Sequence, residues 1–192
     1  SLVFRPKFII SGFNHTFGAA KQGTPSFLRA NQSKYNYVYK ETDAVKMDGE
    51  IISSSLIRSK LEIGDVIGAN KMLGYEFSIS GEVIKGNQLG RTIGFPTANI
   101  HYPDEKVKIP YGVYSSVVTV ENERYSGILN YGIKPTFNNE CKPVAEVHII
   151  GFNKDIYGAD IKISISDKIR DEKKFASLDE LKQQIQRDIK RC

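Results

Sequence analysis

The segment GVYSSVVTVENERYSGILNYGI (residues 112–133) gives the clearest indication of the fold class of this 192-residue chain. Both of its halves are rich in β-branched and aromatic residues, and a polar segment around Asn122 separates them, as expected for short β-strands joined by a turn. Similar runs lie on either side: FSISGEVI (77–84), PVAEVHIIGF (143–152) and DIKISISDKI (160–169). Because no helix separates these five runs, they cannot form a parallel βαβ sheet. A closed antiparallel barrel or a sandwich is predicted, since closure hides the strand edges.

The barrel is expected to be followed by a helix. In SLDELKQQIQRDIKR (177–191), Ser177 and Glu180 have the spacing of a capping box. One apolar face is predicted to lie against the barrel, and it contains Leu178, Leu181, Ile185 and Ile189.

The first part of the chain has a different sequence pattern. KFIISG (7–12) and YNYVYKETDAV (35–45) read as strands, and SSSLIRSKLEIGDVIGANKMLG (53–74) reads as two short helices with Asp65 as an N-cap and Gly74 as a stop. Near Gly74 the sequence pattern changes from mixed strands and helices to a succession of strands. We therefore predict two domains, residues 1–73 and 74–192.

Composition excludes several classes of protein. Apolar residues make up 40% of the chain and charged residues 26%, and no apolar run approaches the ~20 residues that span a bilayer. A soluble, cytoplasmic protein is expected, with no membrane partner. The net charge of +5 favours anionic partners, and a phosphate-bearing small molecule fits as well as a nucleic acid.

The segment KGNQLGRTIGFPTANI (85–100) combines backbone freedom with phosphate-seeking side chains. Glycines such as Gly86 and Gly94 let successive amides point into one concavity, and Arg91 suits a phosphate. Thr97 and Asn99 would project to the same side of an extended segment, where a Mg²⁺ ion bridging phosphates could bind. An alternative is that the glycines only lie at the turns of hairpins and that Thr97 and Asn99 end a turn.

GRTIGFPTAN (90–99) resembles the GRxxGFPTAN signature of riboflavin kinases. The resemblance continues in the family's order through YGVY (111–114), GILNYGIKPTF (127–137), AEVHIIGFNKDIYG (145–158) and IRDEKKFASLDELKQQIQRDI (169–189). It implies an α+β protein with a six-stranded antiparallel β-barrel and a C-terminal helix. It also implies phosphorylation of riboflavin to FMN with ATP as co-substrate, ADP as product and Mg²⁺ as cofactor.

The same resemblance implies roles for individual residues. Glycines such as Gly86 and Gly94 would wrap the ATP phosphates, Arg91 would contact them, and Thr97 with Asn99 would hold the metal. Two further roles follow, for Asn130 in placing Thr97 or the nucleotide and for Glu146 as general base.

Several of these residues have simpler interpretations. From alternation alone, Glu146 would be a solvent-facing strand residue, because an acid within an apolar run is costly unless it points outward. Asn130 would finish a turn, and His148 is expected to be a satisfied barrel residue rather than a ligand. Arg170 and Glu172 could organise the flavin side of the site or simply be solvated.

The first 73 residues resemble part of the FMN adenylyltransferase half of bacterial bifunctional riboflavin kinase/FAD synthetases. The resemblance rests on FIISGFNHTFG (8–18) and ISSSLIR (52–58). It implies the C-terminal part of a Rossmann-like α/β nucleotidyltransferase domain, in which a helix N-terminus cradles the ATP triphosphate. The contacts would be Ser53, Ser54, Ser55 and Arg58.

One departure from that family limits the expectation. Its HxGH-type signature is missing, because the histidines of this chain are His15, His101 and His148. We therefore expect riboflavin kinase activity, with adenylyl transfer of FMN to FAD only in a complete protein. The chain would be either a fragment of the bifunctional enzyme or a natural remnant fused to a kinase.

A second function class stays open beside this one. A small basic barrel can be a non-catalytic module that binds RNA or a protein partner, with tyrosines stacking on bases. The kinase interpretation expects no nucleic acid as a partner. Neither interpretation fixes the oligomeric state.

Overall fold

The computed structural model describes residues 5–86, 88–133 and 143–192. Contacts divide the chain into two compact units, Ser1–Ser53 and Ser54–Cys192. No helix within the described ranges is long and apolar enough to cross a membrane.

The first unit contains a parallel strand pair. Strand β1 (Phe8–Gly12) pairs with β2 (Val38–Thr42), and helices α1 (Pro25–Ala30) and α2 (Gln32–Tyr35) lie between them in sequence. Thr24 caps α1 by accepting a hydrogen bond from the amide of Phe27 at 3.1 Å. Both predicted strands are confirmed, and a parallel pair joined by helices is the arrangement that an α/β domain requires. A short hairpin of β3 (Lys46–Met47) and β4 (Glu50–Ile51) completes the unit.

The second unit begins with the two predicted helices, α3 (Ser54–Glu62) and α4 (Val66–Leu73). Asp65 caps α4 by accepting from the amide of Gly68, and Gly74 ends it in the left-handed region at φ 76°. The apolar faces of both helices are buried in the same core as the barrel, with Leu61, Val66 and Ala69 almost inaccessible to solvent. The compact unit therefore starts at Ser54. The predicted domain boundary after residue 73 stays a prediction.

Six strands form one nearly closed antiparallel barrel in the order β5-β10-β7-β8-β9-β6. Their bounds are β5 (Ser78–Glu82), β6 (Thr97–His101), β7 (Gly112–Val120), β8 (Glu123–Ile133), β9 (Pro143–Ile149) and β10 (Asp160–Arg170). Just beyond β5, the chain meets the other edge strand at a bridge in which the amide of Ile84 donates to the carbonyl of Asn99 in β6 at 2.8 Å. The expected barrel is confirmed, with β6 as its sixth strand.

Alternation along each strand separates the core from the outer face. Ile100, Leu129 and Val147 point inward and are fully buried. Tyr102 and Tyr131 also lie in this core with ring centroids 4.4 Å apart, and burial raises the pKa of Tyr131 to about 12. The residues between these core positions therefore face outward.

The C-terminal helix α6 (Leu178–Ile189) lies on the outer face of the barrel. Its Ile189 packs against an apolar cluster of Val113, Ile128 and Ile169. Ser177 caps the helix by accepting from the amide of Glu180 at 3.2 Å. The predicted apolar face is wrong for Leu178, which is 52% exposed, whereas Leu181, Ile185 and Ile189 are half-buried.

A buried ion pair ties α6 to the barrel. Asp188 is 1% exposed, and its Oδ2 accepts from Nε and Nη2 of Arg170 at 3.0 and 2.9 Å. Gln184 donates to its other oxygen at 2.8 Å. Arg170 is thus an anchor for the helix rather than a solvated charge.

Replacing Asp188 with alanine should lower the free energy of unfolding by about 3 kcal/mol, because the half-buried guanidinium of Arg170 loses its counter-charge. Asp179→Ala removes an exposed carboxylate from the same helix and should cost about 0.5 kcal/mol. Urea unfolding followed by circular dichroism measures both. Equal losses in the two variants would contradict the anchoring role of Asp188.

Candidate active site

The glycine-rich segment lies against the outward side chains of β6. A Cβ atom built on Gly86 would come within 2.5 Å of the side-chain nitrogen of Asn99. A Cβ on Gly90 would come within 2.3 Å of the backbone oxygen of Phe95. No side chain fits at either position unless its neighbours move, so Gly86 lets the segment lie close to Asn99 and Gly90 lets the following turn close on Phe95.

The segment is folded by its own backbone hydrogen bonds. A short helix α5 (Leu89–Thr92) is followed by a turn in which the amide of Phe95 donates to the carbonyl of Gly90 at 2.8 Å. Gly94 has a φ of 87°, which ordinary residues avoid. Arg91 is exposed in this helix.

A hydrogen bond joins the predicted base to the predicted metal ligand. The hydroxyl of Thr97 donates to Oε1 of Glu146 at 2.6 Å, although the two residues are 49 positions apart in the chain. Glu146 is half-buried on the outer face of β9. The outward position expected from alternation is confirmed, and this carboxylate also has a polar partner.

The strand register places two side-chain amides beside this carboxylate. Asn99 lies directly opposite Glu146 in the β6–β9 pair, and Asn130 lies directly opposite Glu146 in the β8–β9 pair. Residues that face each other in an antiparallel ladder project to the same side. Asn99, Glu146 and Asn130 therefore form one row across three strands on the outer face, which we call the polar row.

His148 lies next to the polar row. Its Nδ1 is 2.8 Å from the carbonyl oxygen of Pro96, and its ring meets the ring of Phe95 edge-on with centroids 5.4 Å apart. The expectation that His148 is satisfied within the barrel is confirmed.

A cleft of about 370 Å³ opens beside Thr97. One wall comes from the glycine-rich segment and the start of β6, and the other from the loop between β9 and β10. Its lining includes three predicted residues, namely Arg91, Gly94 and Thr97. The side chains of Gln88 and Tyr157 meet across the two walls at 3.3 Å.

The second wall was not assigned a role from the sequence. Phe152, Lys154, Asp155 and Tyr157 line the cleft from the loop GFNKDIYG (151–158). A polar, aromatic loop after a buried strand is the signal that could have identified it.

The remaining predicted residues lie elsewhere in the chain. Ser54, Ser55 and Arg58 occupy the first turns of α3, and Ser53 directly precedes it. They begin a helix, as the sequence indicated, and their contact with a triphosphate stays a prediction. Glu172 lies against Gly132, since a Cβ there would come within 2.0 Å of its Oε1.

The donor atoms of the site suit a hard cation. Thr97, Asn99 and Glu146 offer hydroxyl, amide and carboxylate oxygens, the ligand type that Mg²⁺ takes together with substrate phosphates. No group of three or more His, Cys, Asp or Glu side chains with metal-binding geometry occurs among the described residues. The oxygen donors are of the type that fits Mg²⁺, and a bound cation stays a prediction.

Two protein families match the chain. A riboflavin kinase family model matches residues 73–192, and an FAD synthetase family model matches residues 2–56. The first match contains the whole barrel, the polar row and the cleft.

The full-length relatives are longer than this chain. The bifunctional riboflavin kinase/FMN adenylyltransferase of Haemophilus influenzae is 38% identical over 184 residues, and that of Bacillus subtilis is 40% identical over 184 residues. These matches cover 95% and 93% of this chain but 59% and 57% of the relatives.

A solved structure has the same fold. A crystal structure from Streptococcus pneumoniae, described as a macrolide-efflux protein, superposes with a TM-score of 0.85 at 35% identity. The superposition covers 96% of this chain and 59% of that one.

Gly86→Ala should displace the amide of Asn99, since the added methyl group overlaps it, at a cost of about 1 kcal/mol in stability. The side-chain amide resonances of Asn99 in a ¹H–¹⁵N spectrum report the displacement. Gly12→Ala is the control, because its Cβ would meet nothing closer than 3.8 Å. Unchanged Asn99 resonances in Gly86→Ala would show that the segment does not press on β6.

Proposed function

The chain belongs to the riboflavin kinase family, and from that premise we propose that it transfers the terminal phosphoryl group of ATP to the ribityl 5′-hydroxyl of riboflavin. The observation that carries the proposal is the contact between Thr97 and Glu146, because Thr97 also lines the cleft. A group that accepts a proton and a group that suits a phosphate-bound cation are thereby adjacent. Phosphoryl transfer requires both within reach of one pair of substrates.

Glu146 is proposed as the general base. As the alcohol oxygen bonds to the terminal phosphorus and the bond from that phosphorus to the bridging oxygen breaks, the carboxylate takes the alcohol proton and ADP leaves. The hydrogen bond from Thr97 holds one carboxylate oxygen in place during this transfer. Asn130, beside Glu146 in the polar row, is proposed to help place the reacting groups.

The nucleotide is proposed to lie in the cleft, with its phosphates toward Thr97. Arg91 and the backbone of Gly94 line the cleft on the side of the glycine-rich segment, where a guanidinium and a flexible backbone suit phosphate oxygens. Thr97 and Asn99 would hold Mg²⁺. A bound Mg²⁺ would neutralise charge that develops on the phosphoryl oxygens.

Flavin is proposed to approach from the polar row, on the side of Asn130 and Glu172. Glu172 lies over Gly132, two residues beyond Asn130 on the same strand face. The anchoring of Arg170 by Asp188 fixes the start of the segment that carries Glu172. Riboflavin and FMN, with ATP and ADP, are thus the proposed partners, and a cytoplasmic location is proposed with them.

Adenylyl transfer is a separate proposal. Ser53, Ser54, Ser55 and Arg58 are proposed to contact the triphosphate of ATP in a site that converts FMN to FAD, because the FAD synthetase family model matches residues 2–56. We restrict that activity to a protein that also carries the histidine signature. Incubating this chain with FMN and ATP should therefore yield no FAD by liquid chromatography. The alternative of an RNA- or protein-binding barrel gains no observation of its own from the described residues.

Glu146→Gln should lower kcat for FMN formation by about 10²- to 10⁴-fold, because the amide accepts the hydrogen bond of Thr97 but cannot take the alcohol proton. KM for both substrates should change by less than about threefold. Chromatographic detection of FMN measures both constants. Glu50→Gln, at an exposed position of β4, is the matched control. A Glu146→Gln enzyme with undiminished kcat would eliminate Glu146 as the base.

A further inference from the structure

We infer that His148 is a positioning residue for the reaction, which holds Thr97 in place through the carbonyl group of Pro96. This inference rests on the proposed function, because it assigns a purpose to the position of Thr97. It adds a residue that is assigned no contact with the reacting atoms or with the metal, and it comes from the contacts at the start of β6.

The β6–β9 ladder ends at the pair of Thr97 and His148. Pro96, the residue before Thr97, therefore lies beyond the last paired position, and proline has no amide hydrogen to donate. Its carbonyl is held instead by the side chain of His148, with Nδ1 at 2.8 Å. A carbonyl oxygen only accepts, so Nδ1 carries the hydrogen, and the imidazole extends the ladder by one hydrogen bond.

The opposite edge of β6 is bridged at a different residue. The bridge between β6 and the chain after β5 is at Asn99, two residues farther along the strand. On the other side of Pro96 comes Phe95, whose ring packs against the His148 ring at an interplanar angle of 81°. One imidazole thus contacts both Phe95 and Pro96, the two residues of the turn that directly precede Thr97.

Thr97 is fixed from β9 at two points. Glu146 binds its hydroxyl, and His148, two residues later on the same face, binds the carbonyl that precedes it. The first contact orients the side chain and the second orients the backbone. Loss of the second should let Thr97 move away from the cleft while Glu146 stays where it is.

The test separates the hydrogen bond from the ring. Asparagine carries its amide nitrogen on Cγ, as histidine carries Nδ1, so His148→Asn keeps a donor for Pro96 and removes the ring. His148→Leu keeps an apolar contact for Phe95 and removes the donor. We expect His148→Leu to raise KM for MgATP about tenfold and His148→Asn to raise it less than about threefold, with KM for riboflavin within about twofold in both.

A binding measurement accompanies the kinetics. Titration calorimetry with MgADP should show the same order of dissociation constants, and thermal unfolding of each variant shows that it is folded. An unchanged KM for MgATP in His148→Leu would overturn the inference. Equal losses in both variants would also overturn it, because the ring itself would then be the contact, and so would equal increases in KM for ATP and riboflavin.

The two proposals fail in different ways. If the wild-type chain makes no FMN but binds MgADP, the proposed function fails, and the calorimetric comparison still decides the role of His148. If the wild-type chain makes FMN and His148→Leu behaves as the wild type, only the positioning role fails. A wild-type chain that neither makes FMN nor binds MgADP contradicts both.

Discussion

The site depends on the two-residue alternation of strand β6. Ala98 and Ile100 point into the barrel and are buried in its core, so Thr97 and Asn99 must point out. A shift of the strand by one residue would place a threonine and an asparagine in the apolar interior and two aliphatic side chains in the site. The hydrophobic core therefore fixes the chemistry on the opposite face.

The register of β6 with β9 brings the outward-facing side chains of the two strands together. It places Glu146 opposite Asn99 and His148 opposite Thr97. Side chains from distant parts of the chain therefore meet on the sheet itself, and no loop is needed to position them. The glycine-rich segment adds the remaining requirement, which is a backbone that can lie close to Asn99, and Gly86 meets it because it has no side chain.

The sequence predicted the individual helices and strands better than it predicted which strands pair with one another. Five barrel strands, the two helices at 54–73 and the C-terminal helix followed from alternation, capping residues and period, since these are local properties. Helix α1 was not anticipated, because its sequence PSFLRA is short and lies within a polar stretch. Pairing of strands could not be read from spacing, so the position of Asn130 beside Glu146 and the wall formed by Lys154 and Tyr157 required the structure. The resemblance to riboflavin kinases had indicated roles for Thr97, Asn99 and Glu146, and the structure brings these three side chains onto one face.

The most direct test of the account is a crystal structure of the chain with MnADP and FMN, in which anomalous scattering locates the manganese. Manganese should be coordinated by the oxygens of Thr97 and Asn99, with ADP in the cleft and the FMN phosphate ester beside the carboxylate of Glu146. A manganese peak away from Thr97 and Asn99, or an FMN phosphate out of reach of Glu146, would contradict it.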